Sequence, residues 1–249
     1  MAEKPDVAQL ADYLVSHAGG YLRNTVRIQR QTCSICTTPT NGYKTCYPCR
    51  GHQQQYRNEL ADLVAPVIYA KKGTQAGYLM HGYKQPPVAP EHRRIVATLS
   101  LVTLSLHSGC PGRLIGSPLT SWATVPSLAG RSGRHPLHAL VARMVPLPEI
   151  PLHPGEDVVD PRAARADNFT ADPVHDVGAH VLLLDDTWAS GGHLQSAALA
   201  LRQAGAAHVS GLVLARWIGE STVSTGDFRT KLARPYNPDV CPWTGATCP

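Results

Sequence analysis

The sequence predicts an α/β fold built on a mainly parallel sheet, with a cysteine-rich appendage ahead of it. Three observations carry that prediction. Residues 181–184 form a continuous apolar run, as in a strand covered on both faces. A Gly-containing turn, a helix over about 193–204, a stop at Gly205 and a further strand over 208–218 complete a βαβ unit. Of the 249 residues, 43% are hydrophobic, enough for a sizeable core and too many for wholesale disorder.

The other elements follow in chain order. Leu10, Leu14, Val15, Leu22 and Val26 recur at helical spacing over 7–26, and Gly19 and Gly20 interrupt them, so a helix and a turn are expected. Residues 53–63 read as a short polar-faced helix leading into an apolar strand over 64–70. After prolines at 86, 87 and 90, a helix over about 91–107 opens on charges and turns apolar. Strand-like pieces are expected at 113–116 and 122–125, a helix at 136–144, another strand at 149–153 and a loop over 154–178. The chain thus divides into an appendage (1–60), an α/β domain (61–235) and a tail (236–249), with no internal repeat.

Several function classes are disfavoured. The longest apolar stretch, 95–106, is too short to span a bilayer and is broken by Thr and Ser. Met1 to Asp6 shows no basic start leading into an apolar segment, so a cytoplasmic, reducing location is expected. The net charge of +5 is spread along the chain without a basic run; it suits an anionic small molecule as well as nucleic acid.

Cys33-x2-Cys36 and Cys46-x2-Cys49 are separated by the turn-forming Thr37-Thr-Pro-Thr-Asn-Gly42 segment. Two such knuckles supply four thiolates, the donor set of a closed, structural Zn²⁺ ribbon. A redox dithiol, coincidental cysteines and an iron–sulfur cluster are the alternatives. Arg50, His52 and Arg57 follow closely; as solvated residues beside a structural clamp they do not require nucleic acid. Cys110 reads as a stray thiol, and Cys241 and Cys248 as a second metal site or as small hydrophobes. His135 and His138 could together hold a metal, though a partly exposed helix face accounts for them.

The strongest site signal lies over 181–193. Asp185 and Asp186 stand at the carboxyl end of the buried strand, where open α/β sheets bind ligands. Thr187, Trp188, Ala189, Ser190, Gly191, Gly192 and His193 then lead into a helix. The two glycines allow a tight turn whose amides, with the helix dipole, favour a phosphate. Four apolar residues, two acids and a small-residue loop resemble the binding signature for phosphoribosyl pyrophosphate (PRPP) in type I phosphoribosyltransferases. That resemblance implies that residues 187–193 bind PRPP, with Asp185 and Asp186 holding the ribose hydroxyls and the loop Ala189 to His193 the 5′-phosphate. The family usually has Thr or Ser where this chain has His193.

A four-cysteine ribbon followed by such a domain resembles the ComF-like (competence protein F) family, over most of residues 33–217. The segment Tyr69 to Lys84 and the residues Arg162, Arg165, Asn168 and Phe169 are similar to stretches of that family. The resemblance implies a type I phosphoribosyltransferase-like parallel sheet carrying an N-terminal four-cysteine zinc ribbon and helical appendage. It also implies transfer of a phosphoribosyl group from Mg²⁺-bound PRPP to an unidentified nitrogen-containing acceptor, with release of pyrophosphate. Pro126 and Ser127 would form the pyrophosphate loop, and Lys84, Arg131 and Arg134 would neutralise it. After residue 127 the chain reads Leu-Ala-Gly-Arg-Ser-Gly-Arg-His-Pro in place of the family's Arg-Gly-Phe-Asn-Gln run, the mark of a divergent branch. The N-terminal helix, the ribbon and a tail with Tyr236 and Trp243 would form the hood over the acceptor. The expected partners are small molecules, rather than nucleic acid or membrane, and a homo-oligomer is compatible. The competing readings are a non-catalytic PRPP-sensing or nucleic-acid-handling protein and a zinc-ribbon adaptor.

Overall fold

A computed structural model of the chain describes residues 6–128, 135–156, 158–160, 162–219 and 226–249. In chain order the elements are α1 (Val7–Ala18), α2 (Tyr47–Tyr56), β1 (Leu63–Lys71), α3 (Gln75–Gly82), α4 (Pro90–His107), α5 (Cys110–Ile115) and β2 (Ser121–Thr124). They continue with α6 (Pro136–Val141), β3 (Leu152–Pro154), β4 (Phe169–Ala171), β5 (His180–Trp188), α7 (Gly192–Gln203), β6 (His208–Ile218) and α8 (Gly226–Leu232).

Strands β1, β6, β5 and β2 form one sheet in that order, and every neighbouring pair is parallel. Alternation along β5 sends Leu182 and Leu184 into one core and Val181 and Leu183 into another. Leu212 and Leu214 of β6 join the first core, with α1, α3, α4 and α6; Val209 and Val213 join the second, with α7 and three of the clustered cysteines. The sheet is therefore covered on both faces, and this explains the unbroken apolar runs in its central strands.

Most expected elements are present with shifted ends. The strand expected at 113–116 is instead the last part of helix α5, which Pro111 opens and Gly116 closes at φ +80°. The expected loop over 154–178 contains β4, which pairs antiparallel with β3. Helix α2 begins at Tyr47, earlier than expected, because Pro48 sits in its first turn. Helix α3, capped by Thr74 Oγ1 accepting from the Gly77 amide at 3.2 Å, and helix α8 lack a clear apolar period and were not foreseen. Pro90–Ile115 is long and apolar enough to cross a membrane, but 61% of its most apolar window is buried, the packing of a core helix.

Candidate functional site

The acid pair sits near the carboxyl end of β5, facing a cleft of about 780 Å³. One wall is Val125, Pro126 and Ser127 after β2; the other is Thr187 and Ala189 to His193, leading into α7. The chain leaves β5 for α7 on one face of the sheet, while β2 leads to α6 on the other, so the cleft opens where two connections diverge.

Backbone geometry forms the loop. Gly191 has φ +90°, and a Cβ there would lie 2.2 Å from Cζ2 of Trp188. A Cβ on Gly192 would lie 2.0 Å from the Arg162 carbonyl oxygen. Both glycines are thus required by close approach, at the start of a helix whose first amides have no acceptor within the helix. Ser190 Oγ donates to the Arg162 carbonyl at 3.0 Å and accepts from the Gly192 amide at 3.4 Å, so its hydroxyl braces the turn. Trp188, expected among the PRPP-binding residues, is the last residue of β5 and only 1% exposed; its ring packs in the core and supports Gly191 from beneath. His193 lines the cleft, with its ring edge-on to Phe169 at 6.4 Å.

Asp185 and Asp186 are both buried, at 7% and 5% exposed. Asp186 accepts from Tyr83 Oη at 2.6 Å and from Lys84 Nζ, and His135 Nε2 stands 3.7 Å away. Burial alone would raise the Asp186 carboxyl. The charges of Lys84 and His135, with hydrogen bonds from Lys84 and Tyr83, outweigh it and hold the group below the ordinary carboxylate value. Asp185 has the opposite fate: burial, then the Asp186 charge, push its carboxyl up to about 8. The pair therefore splits into one fixed carboxylate and one group that holds its proton near neutrality.

Lys84, expected on the pyrophosphate, lies on Asp186 while still lining the cleft. Arg131 and Arg134 lie outside the described residues. His135 and His138 do not converge. His135 Nδ1 accepts from the Leu137 amide at 3.1 Å, leaving Nε2 toward Asp186, whereas His138 Nε2 meets Glu149 at 3.0 Å. His138 is also buried and stacked on Trp122, which replaces the expected exposed helix face.

The segment carrying Arg162, Arg165, Asn168 and Phe169 lies over α7. The Arg165 amide donates to Ser196 Oγ at 2.9 Å, and the buried Asn168 Nδ2 donates to the Asp160 and Ala163 carbonyls. Arg162 lines the cleft; Arg165 turns outward to Asp167.

The four sulfurs of Cys33, Cys36, Cys46 and Cys49 lie within 4.8 Å of one another, with Cys36 and Cys46 3.6 Å apart. Their donor set fits a tetrahedral ion such as zinc. Arg216 links this cluster to the cleft, and the sequence offered no sign of it beyond an arginine in an apolar strand. It is buried; Nη1 donates to the Trp188 and Ala189 carbonyls at 2.8 Å each, and Nη2 to Thr38 Oγ1 beside the cysteines.

The hood expected from the resemblance is absent from this cleft: among the described residues, none before His81 and none after Leu194 lines it. Trp243 is buried and donates its indole N–H to the His107 carbonyl at 3.0 Å, and Tyr236 is buried as well. No protein-family model matches the chain, and no curated protein matches it.

Proposed function

We propose that this chain is a ComF-like phosphoribosyltransferase with a type I fold, binding PRPP and Mg²⁺ beside a structural zinc ribbon. The observation that carries the reading is the cleft itself: an acid pair at the end of a central parallel strand, followed by a glycine turn that opens a helix. The α7 amides and helix dipole would receive the 5′-phosphate, and Asp186 would accept from the ribose hydroxyls. The two carboxyl groups supply hard oxygen donors for Mg²⁺, which would neutralise the departing pyrophosphate.

Transfer breaks the anomeric C–O bond, and the acceptor nitrogen forms the new bond as pyrophosphate leaves with the bonding electrons. The chain's own share is positioning and charge. Lys84 and Arg162 face the cleft as cations, and Pro126–Ser127 form the wall nearest the leaving group in this pose. The proton that the acceptor nitrogen sheds would be released to water in the cleft.

The test is a calorimetric titration of PRPP with Mg²⁺ into the zinc-loaded chain and into the Asp185→Asn/Asp186→Asn variant, with melting curves for both. Saturable binding lost in a folded variant supports the reading; no binding by the folded wild type overturns it. One observation favours a second reading, a PRPP sensor without transferase activity. Asp186 is already engaged by Tyr83, Lys84 and His135. Binding without pyrophosphate release across a panel of nitrogen bases would select it.

A further inference from the structure

The three cysteines outside the quartet meet at one point. Cys110 opens α5 just after His107 ends α4, and Cys241 and Cys248 lie at the far end of the chain, in a segment without helix or strand. One ring nitrogen of His107 and the three sulfurs lie within 4.8 Å of one another. We propose that His107, Cys110, Cys241 and Cys248 form a second tetrahedral zinc centre, with three thiolates and one imidazole, that pins the tail to the end of α4.

The donors and their arrangement carry this. A Zn–S bond of about 2.3 Å puts sulfurs in a tetrahedron about 3.8 Å apart, so only a modest contraction would close the group around an ion. The His107 ring is already set for ligation. Nε2 lies 2.8 Å from the Pro238 carbonyl and donates to it, which leaves the Nδ1 lone pair pointing at Cys248 Sγ, 3.2 Å away. A ligating histidine is commonly oriented in this way, by a carbonyl on its other nitrogen.

Three thiolates and a neutral imidazole around Zn²⁺ leave one net negative charge, and Arg113 stands beside it. Its Nη2 lies 3.4 Å from Cys110 Sγ, while its Nε donates to the carbonyl of the terminal Pro249 at 2.7 Å. His107, Cys110 and Cys241 are buried and Cys248 is exposed, so the group is enclosed with one side open for an ion to enter. Cysteines packed as small hydrophobes would not surround an imidazole nitrogen, nor leave one of their number at the surface. A turn shapes the tail around the point: the Cys241 amide donates to Ala246 O at 2.8 Å and the Gly245 amide to Cys241 O at 2.7 Å. The odd total of seven cysteines is then complete, as four plus three with a histidine.

The experiment counts metal in the whole chain, purified under reducing conditions with zinc and checked for folding by circular dichroism. Two zinc ions per folded wild-type chain are expected. Cys248→Ser and Cys241→Ser should each retain one, and His107→Cys should retain two. Cobalt(II) in place of zinc should show thiolate charge-transfer bands that weaken in the Cys248→Ser variant. The wild-type count does not depend on any variant folding. The proposal is overturned by a single zinc in the folded, zinc-saturated wild type that the Cys241→Ser and Cys248→Ser variants both retain. A disulfide among Cys110, Cys241 and Cys248 overturns it too, as does an iron–sulfur absorption spectrum lost with Cys248, or two zinc ions persisting in both serine variants.

Discussion

Replacing Gly192 with alanine tests whether the segment around Arg162 holds the loop between β5 and α7 in place. The new Cβ would lie 2.0 Å from the Arg162 carbonyl oxygen, 2.6 Å from its carbon and 2.8 Å from the Ala163 carbonyl carbon. All three are backbone atoms, so no side chain can swing away, and the two segments must part by roughly 1 Å in a close-packed interior. That separation pulls on the Ser190 Oγ bond to Arg162 O and the Arg165 amide bond to Ser196 Oγ. Overpacking of this kind costs about 1–3 kcal/mol. Losing one or two hydrogen bonds adds about 1 kcal/mol each. The helix preference of alanine over glycine returns at most about 1 kcal/mol. The expected net loss is about 2–4 kcal/mol, read as a lower urea midpoint at unchanged slope. On the proposed function, affinity for PRPP should fall about tenfold or more, because the amides are displaced with the loop.

Gly51 supplies the control. It lies within α2, where an added Cβ meets nothing within 4 Å, so Gly51→Ala should stabilise by about 0.5–1 kcal/mol. If both substitutions moved the midpoint the same way, or Gly192→Ala bound PRPP like the wild type, the 160s segment would not be the clamp on the loop.

Asp185, Asp186 and Arg216 yield the remaining predictions. The Asp185 carboxyl has a folded pKa raised to about 8 against an unfolded value of 3.8, so the folded state binds the extra proton and this contribution to stability is lost as pH rises between those values. Asp185→Asn should remove that loss, and its stability relative to wild type should grow from pH 6 to pH 8 by up to about 1.4 kcal/mol per pH unit in paired urea titrations. A constant difference would refute the assignment of the raised pKa to this residue. Asp186 has the opposite sign: its depressed carboxyl contributes stability present above the ordinary carboxylate range and lost in acid. Asp186→Asn, which leaves Lys84 without its carboxylate, should therefore destabilise at neutral pH. Arg216→Lys keeps the charge but loses the fork that spans Trp188 O, Ala189 O and Thr38 Oγ1. A stability loss of about 2–3 kcal/mol is expected, with weaker zinc retention by the quartet, measured by competition with a chromogenic chelator.

The central βαβ unit was legible because local pattern and global role agree there. An apolar run buried on both faces, a glycine turn and an amphipathic helix each point to the same structure. The cysteine quartet was legible for a similar reason, since its four ligands fall within one short segment. Three features resisted. Helix α5 was hidden because a piece as short as Arg113 to Gly116, with two apolar residues, fits a strand or a helix equally well, and only the Pro111 start and Gly116 stop decide it. The partners of Asp186 come from Tyr83, Lys84 and His135, about fifty to a hundred positions earlier, and no local spacing rule joins them. Cys110 lies more than 130 positions from the tail cysteines, so it read as a stray thiol, and Cys241 and Cys248 as a metal site without its other ligands or as small hydrophobes, until the fold brought them together.

The positions of the appendage and the tail also explain why they form no hood over the cleft. In the order β1-β6-β5-β2 the cleft opens between β5 and β2, and β1 lies at the opposite edge. β1 is nine residues long and largely buried, and such an edge left open would pair with other chains. Residues 23–25 lie along it instead: the Thr25 amide donates to Val67 O and the Tyr69 amide to Arg23 O, with an antiparallel bridge between Asn24 and Ile68. That covering strip is held in turn by the tail, through the reciprocal Asn24–Asn237 hydrogen bonds. Arg27 then joins all three parts, donating to Ser34 O beside the quartet, Val64 O in β1 and Pro242 O in the tail. Residues 23–25, held by the tail, thus close the β1 edge of the sheet, and the cleft at the other edge is lined, among the described residues, by side chains and backbone between His81 and Leu194.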